Sequence, residues 1–288
     1  MKISEKLRQY EDPKVAPYLD SYDPSTLTRL SWRARYFALS RGTPLTANER
    51  KIRSFHNRHQ GETAVLIGNG PTLNSVDFDL IKSIPTFGVN AIYLKEKEMG
   101  FLPTYYFVED VFVAEDRARE IADLRGPTKF FGNYLRYAID DSPNTLWMNV
   151  SVSYGNFKNF PLWSSNAGRI LYCGGTVSYL AMQLAYYMGF RRLILVGFDH
   201  HYVVPDDAEV SGTQIMSTGS DPNHFDNTYF GQGKRWHLPM VERMEVAYRK
   251  ADKFWRDDKR QIVNATAGGA LEVFPRRSLA DAINEPYA

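Results

Sequence analysis

Histidine and carboxylate side chains recur together between residues 199 and 240. Asp199-His200-His201 opens this stretch, Asp221-Pro222-Asn223-His224-Phe225-Asp226 lies in its middle, and His237 stands near its end. Histidine is the side chain best suited to moving a proton near neutral pH, and a neighbouring carboxylate can orient its ring. His224, flanked by Asp221 and Asp226, is the first candidate for a general base, and Asp199 could orient His200. A His/Asp metal site is conceivable, and the plain alternative is that these are ordinary loop histidines. A Ser-His-Asp hydrolase is disfavoured because no G-x-S-x-G elbow is present.

A second kind of chemistry is suggested by Thr63-Ala64-Val65-Leu66-Ile67-Gly68-Asn69-Gly70-Pro71-Thr72-Leu73. The apolar run reads as a buried strand that ends in a tight loop. Gly68 and Gly70 can take φ > 0 or let a ligand approach the backbone. Thr72, Asn74 and Ser75 can cap the next helical turn. Together they could make an N–H-lined anion site, with a plain strand-to-loop turn as the alternative. The loop is neither a Walker loop nor a G-x-G-x-x-G fingerprint.

The elements that must position these groups are set by the apolar pattern. Thr86 to Asn90 and Tyr105 to Val108 read as strands, the first ending on Asn90 and the second running into Glu109-Asp110. Further strands are expected at 129–131, 146–150, 193–198 and 261–264, and helices at 47–59 behind a Thr46 cap, 76–84, 114–124, 177–188 and 240–255. Cys173-Gly174-Gly175-Thr176 leads into the most apolar helix, and the strand after it ends on Asp199. Strands alternating with helices predict an α/β fold, a Rossmann-like, mainly parallel sheet whose ligands bind beyond the strands' carboxyl ends. Residues 1–60 read as an N-terminal basic arm and helix, docked through Tyr22, Trp32, Tyr36 and Phe37. Residues 61–288 read as the nucleotide-binding domain, including an aromatic-rich lid at 200–240.

Composition narrows the classes. The 288 residues carry a net charge of only +2, which does not indicate a nucleic-acid protein. With the single cysteine Cys173, no disulfide can form within the chain. No apolar run reaches membrane-span length and no signal core is present, so a cytoplasmic location is expected. Oligomeric state is not legible.

The glycine loop with Phe87-Gly88-Val89-Asn90 resembles the bacterial sialyltransferase-like glycosyltransferases. It is equally similar to the MptE-like group, named for 6-hydroxymethylpterin diphosphokinase. Gly175-Thr176-Val177, Ile194 to Asp199, and Ile262-Val263-Asn264-Ala265-Thr266 with Gly268-Gly269 continue the resemblance in order over residues 60–280. It implies a lid over a nucleotide. In the sialyltransferases, the positions matching Gly68, Asn69, Gly70 and Asn90 hold the cytidine monophosphate part of the donor. Pro71 and Thr72 complete that loop, and Gly175 and Thr176 open the facing helix. Tyr202 and Tyr229 are the candidate phosphate-binding phenols. His224 or His237 is the candidate base, His237 through its position ahead of the 240–255 helix. No metal is required there. Two departures stand out: Gly174-Gly175 where the family carries hydroxyls, and Glu109-Asp110 where it carries Asn. Asp110 with Asp199 could instead hold Mg²⁺ under a triphosphate. The expected function is therefore glycosyl transfer from a nucleotide-linked small-molecule donor to a hydroxyl acceptor, in surface polysaccharide synthesis. The alternatives are an ATP- and Mg-dependent diphosphokinase and a non-catalytic nucleotide-binding protein.

Overall fold

A computed structural model describes residues 26–151, 161–204, 208–212 and 214–286. Twelve strands are present among them: β1 Thr63–Ile67, β2 Thr86–Val89, β3 Tyr105–Val108, β4 Thr128–Gly132, β5 Thr145–Met148, β6 Val150–Ser151, β7 Leu171–Tyr172, β8 Arg192–Val196, β9 Glu209–Ser211, β10 Gln214–Met216, β11 Arg235–His237 and β12 Gln261–Asn264. The helices are α1 Thr26–Ser40, α2 Ala47–Arg53, α3 Glu96–Met99, α4 Val111–Asp116, α5 Ala118–Asp123, α6 Val177–Tyr187, α7 Val241–Asp257 and α8 Leu279–Asn284.

Seven strands form one sheet in the order β12-β8-β1-β2-β3-β4-β5, and every pairing in it is parallel. This is the Rossmann-like α/β arrangement expected from the sequence. The chain reverses its direction of travel across the sheet between β1 and β8, so the crevice beyond their carboxyl ends lies at a switch point. Successive side chains of a strand point to opposite faces, and β1 shows it. Ala64 and Leu66 join a core with α6 and α7, whereas Val65 and Ile67 join a second core on the other face.

The helices form where pattern and caps agree. In α6, only Tyr186 of the eleven residues Val177–Tyr187 is not buried. Thr176 caps it by accepting from Ser178 N–H. Thr46 and Glu49 make a reciprocal capping box on α2, as the Thr46 cap predicted, but the helix proper ends at Arg53. Residues 76–84 depart further from expectation. They hold only a short 3₁₀ turn at Phe78–Leu80, and Leu80 is exposed. The expected helix at 114–124 is broken at Arg117 into α4 and α5. In α7, Trp255 is buried and Phe254 is partly exposed, stacked on Trp163 at 5.2 Å.

Of the expected anchors of the arm, Tyr22 and the side chains of Trp32 and Tyr36 lie outside the described residues, and Phe37 is exposed. His59 stacks on Phe190 at 4.6 Å and meets the Tyr105 hydroxyl at 2.6 Å, while His56 packs on Tyr187. Residues 208–237 contain a small antiparallel sheet, β11-β10-β9, rather than an irregular loop. Among the described residues no helix is long and apolar enough to cross a membrane.

Candidate functional site

The carboxyl ends of β1, β2, β3 and β8 open on a cavity of about 580 Å³, a size suited to a nucleotide-sized ligand. Gly68, Asn69, Gly70, Asn90, Asp110, Gly175, Thr176, Asp199, His200, Tyr202, His224 and His237 all line it. Residues that are distant in sequence thus share one cleft. Pro71, Thr72 and Tyr229 do not line it.

The glycine loop is shaped by the protein itself. Neither Gly68 nor Gly70 has positive φ; Gly70 sits at −68°. A Cβ on Gly70 would overlap the Asp199 carboxylate, and one on Gly68 would overlap the Gly197 carbonyl. The close approach permitted by glycine is therefore that of the β8 end. Asp199 accepts from Thr72 N–H at 3.2 Å and from the Thr72 hydroxyl at 2.7 Å. That fastens the 3₁₀ turn Pro71–Ser75 to β8. Asp199 is a positioning residue here, and it does not orient His200.

Two amides mark the floor of the cleft. Asn69 is buried; its Nδ2 donates to the Val89 carbonyl at 3.1 Å, and its Oδ1 has no partner. Asn90 sits in the left-handed region at φ 50°, with its Oδ1 also unpartnered. Asparagine tolerates that conformation better than most residues. Buried polar atoms are nearly always bonded, so two orphans on adjacent strand ends single out this floor.

His224 forms a His–carboxylate dyad at the cleft. Its Nδ1 lies 2.7 Å from Asp221 Oδ2. With Nδ1–H donating to that carboxylate, Nε2 is left as a proton acceptor. No described protein group bonds Nε2. Asp221 is itself held: Oδ1 accepts from Asn223 N–H at 2.8 Å and Oδ2 from Phe230 N–H at 3.0 Å. The His224 ring stacks on Tyr229 at 4.0 Å with an interplanar angle of 3°. Tyr229 is fully buried, and its hydroxyl accepts from Ala91 N–H at 3.2 Å. Burial pushes its phenol well up from the usual value, against the opposing Ala91 hydrogen bond. It backs the histidine instead of reaching the cleft. Asp226 turns away to accept from Thr228.

His237 forms a second dyad. Its Nδ1 lies 2.8 Å from Asp110 Oδ2, and its ring stacks on Phe112 at 4.3 Å. Burial opposes its protonation, but the bond to Asp110 and the charges of Asp110 and Glu109 outweigh that and raise its pKa. Asp110 Oδ1 also caps α4 through Phe112 N–H at 2.7 Å. Asp110 and Asp199 thus each hold donors of their own, and both line the cleft. Among the described residues no group of three or more His, Cys, Asp or Glu is placed to hold a metal ion.

His200 lies in the left-handed region at φ 53° and is buried, with Nε2 unbonded and Glu245 Oε1 3.7 Å away. Burial lowers its pKa more than Glu245 raises it. Tyr202 is pushed up strongly by burial. Thr176 Oγ1 lies 3.5 Å from the Tyr248 hydroxyl. Asn223, Arg243 and Tyr248 also line the cleft and were not singled out from the sequence. Arg243 opens an amphipathic helix behind Pro239, which is the one signal that could have found it.

Fold and cleft define an α/β protein of the Rossmann-like class with its site at the carboxyl edge of the sheet. Residues 43–204 match the family model described as "6-hydroxymethylpterin diphosphokinase MptE-like". That match spans more than half of the chain, and the chain belongs to the MptE-like family. Among solved structures, it is similar to the MAf glycosyltransferase from Magnetospirillum magneticum AMB-1, with 16% identity and a TM-score of 0.46. The likeness covers 88% of this chain and 42% of that one, so the chain spans less than half of that protein's length. No curated protein matches the chain.

Proposed function

We propose that this protein is a transferase that moves a glycosyl group from a nucleotide-linked donor to an acceptor hydroxyl. The observation that carries this reading is the His224–Asp221 dyad, with Nδ1 fixed at 2.7 Å and Nε2 unbonded, set in the same cleft as Asn69 and Asn90. Inverting glycosyl transfer needs a base to take the acceptor proton while the leaving phosphate is stabilised. His224 Nε2 takes that proton, and Asp221 holds the tautomer and stabilises the imidazolium. Asn69 and Asn90 hold the donor's base and sugar through their unpartnered amide oxygens. His237, whose pKa is raised because Asp110 outweighs the effect of burial, faces the leaving phosphate.

Among the described residues lining the cleft, Arg243 is the only arginine or lysine, against Glu109, Asp110 and Asp199. Such a balance suits a donor with few phosphate charges better than a bare triphosphate. The family's name makes an ATP- and Mg-dependent diphosphokinase the second reading, favoured by the acidic pair at the β3 end. A thermal-shift panel of CMP, CDP, UDP, GDP and ATP, each with and without Mg²⁺, separates the two, since a specific ligand stabilises the native state by mass action. Stabilisation by a pyrimidine nucleotide without Mg²⁺ supports glycosyl transfer. Stabilisation only by ATP with Mg²⁺ moves the assignment to the diphosphokinase.

His224→Ala is expected to keep nucleotide binding and lower turnover roughly 10²–10⁴-fold, the range typical of a general base. Full activity in that variant with loss in His237→Ala would make His237 the base. Full activity in both would sink the mechanism.

A further inference from the structure

His200 stands where two walls of the cleft approach each other. One wall is the end of β8 with Phe198, Asp199 and His200, and the other is the start of α7 with Arg243 and Met244. The His200 ring lies 5.8 Å from the ring of Tyr248, further along α7. Its Nε2 is buried without a hydrogen-bond partner, and Glu245 Oε1 lies 3.7 Å away, beyond bonding distance. The other carboxylate oxygen of Glu245 accepts from Arg249 on the same helix. A buried nitrogen without a partner costs free energy, so its place in the cleft wall calls for a reason.

The backbone that carries His200 is fixed. A φ of 53° is uncommon for a residue with a side chain. Such a conformation persists only where the surroundings over-determine it, and it clusters at functional sites. Those surroundings are present. Phe198 N–H donates to Thr266 Oγ1 at 3.0 Å, the Asp199 carbonyl accepts from Ala270 N–H at 2.7 Å, and a Cβ on Gly269 would come within 2.8 Å of that carbonyl. The N-terminus of α7, by contrast, has no side-chain cap, its N-cap residue being Met240. An uncapped first turn is the readier of the two walls to shift. A movement of roughly 1 Å would bring Glu245 within hydrogen-bond distance of His200. It would narrow the cleft and carry Arg243 with it.

We propose that His200 is a positioning residue for the donor. When a nucleotide-linked donor fills the cleft, His200 Nε2–H donates to Glu245 Oε1, and that bond sets α7 and its Arg243 against the donor phosphate. The inference rests on the transferase reading, in which the cleft holds such a donor. Arg243 is the single arginine or lysine among the described residues lining the cleft, so a phosphate there attracts α7 through it. Burial lowers the pKa of His200 more than Glu245 raises it, which leaves a neutral imidazole with one N–H to give.

A double-mutant cycle in nucleotide affinity tests this. CMP, CDP, UDP and GDP are titrated into the parent chain, His200→Ala, Glu245→Ala and the double variant. For a nucleotide that binds, each single substitution is expected to weaken affinity about tenfold, the effect of losing a hydrogen bond to a charged group, and the double variant no further. His200→Gln, which keeps an N–H donor, should recover most of the loss. In urea unfolding of the ligand-free proteins the two substitutions should act additively. Additive losses in affinity overturn the proposal. Coupling as large in ligand-free unfolding as in binding also overturns it, since the pair would then be a standing structural contact. If none of the four nucleotides binds the parent chain, the transferase reading falls and the role of His200 with it. If one binds and the cycle shows no coupling, the role of His200 alone falls.

Discussion

Gly70 has no space for a side chain, because the Asp199 carboxylate occupies the place where a Cβ would stand. Gly70→Ala is expected to lower stability by about 1–3 kcal/mol, the usual cost of forcing an added methyl into packed surroundings. Combined with Asp199→Ala, the loss should be clearly less than additive, since the second change removes the clash; urea unfolding of the four proteins measures the coupling. Asp221→Asn should lower turnover as His224→Ala does while leaving nucleotide affinity intact, because an amide no longer enforces the Nδ1–H tautomer. Steady-state kinetics beside a binding titration check that split. Residue types at strand ends singled out Asn69, Asn90 and Asp199 in the sequence, and flanking carboxylates singled out His224 with Asp221. Most of the other partners were not legible. That Asp199 holds Thr72 and that Asp110 pairs with His237 depends on contacts that each span 127 positions. Local pattern carries no record of such distances.

Elements were legible where periodicity and caps agreed. In α6 nearly every side chain is buried, so its apolar content alone announced it, and the structure adds the Thr176 cap. Residues 76–84 show the opposite case. Apolar residues recur there at helical spacing, yet Asp77 caps a single 3₁₀ turn by accepting from Asp79 N–H and Leu80 points to solvent. A short segment gains little from helix formation without packing, and tertiary contacts decide it. The Thr46 capping box supports a prediction at this scale. Thr46 Oγ1 accepts from Glu49 N–H at 3.1 Å, while Glu49 Oε2 accepts from Thr46 N–H at 3.0 Å. Thr46→Ala should cost about 1 kcal/mol. A midpoint shift in urea at constant slope would show it, and an unchanged midpoint would mean that α2 is held by Asn48 and the β5 backbone instead.

At the scale of the molecule, two bodies of unlike cohesion meet at the cleft. The large sheet is apolar on both faces, with Val65, Leu66, Ile194 and Leu195 fully buried. The small sheet of β9–β11 has three residues in each strand; Ile215 and Trp236 join the same buried core as Val113 and Ala114 of α4, and polar contacts to α4 add to that hold. Arg235 Nε donates to Asp116 Oδ1 at 3.0 Å and Nη2 to Glu115 Oε2 at 2.8 Å, while His237 meets Asp110 two residues on. Alternation and turn residues announced the first body. The second escaped the sequence because its strands have only three residues each, too few to show an apolar period. The His237 contact should also make that hold depend on pH. Its folded pKa is raised above the ordinary value of 6.5. The stabilisation is therefore fully present below about pH 6.5 and is lost as pH rises through the folded value. Arg235 does not titrate in this range, so the clamp weakens without letting go. Amide exchange in 235–237, corrected for its intrinsic pH dependence, is expected to quicken over that interval while β1 and β8 stay protected. In His237→Gln this extra dependence should vanish, and in Arg235→Ala exchange should be faster at every pH with the His237 step retained. A pH step that survives in His237→Gln would place the titrating group elsewhere in the clamp.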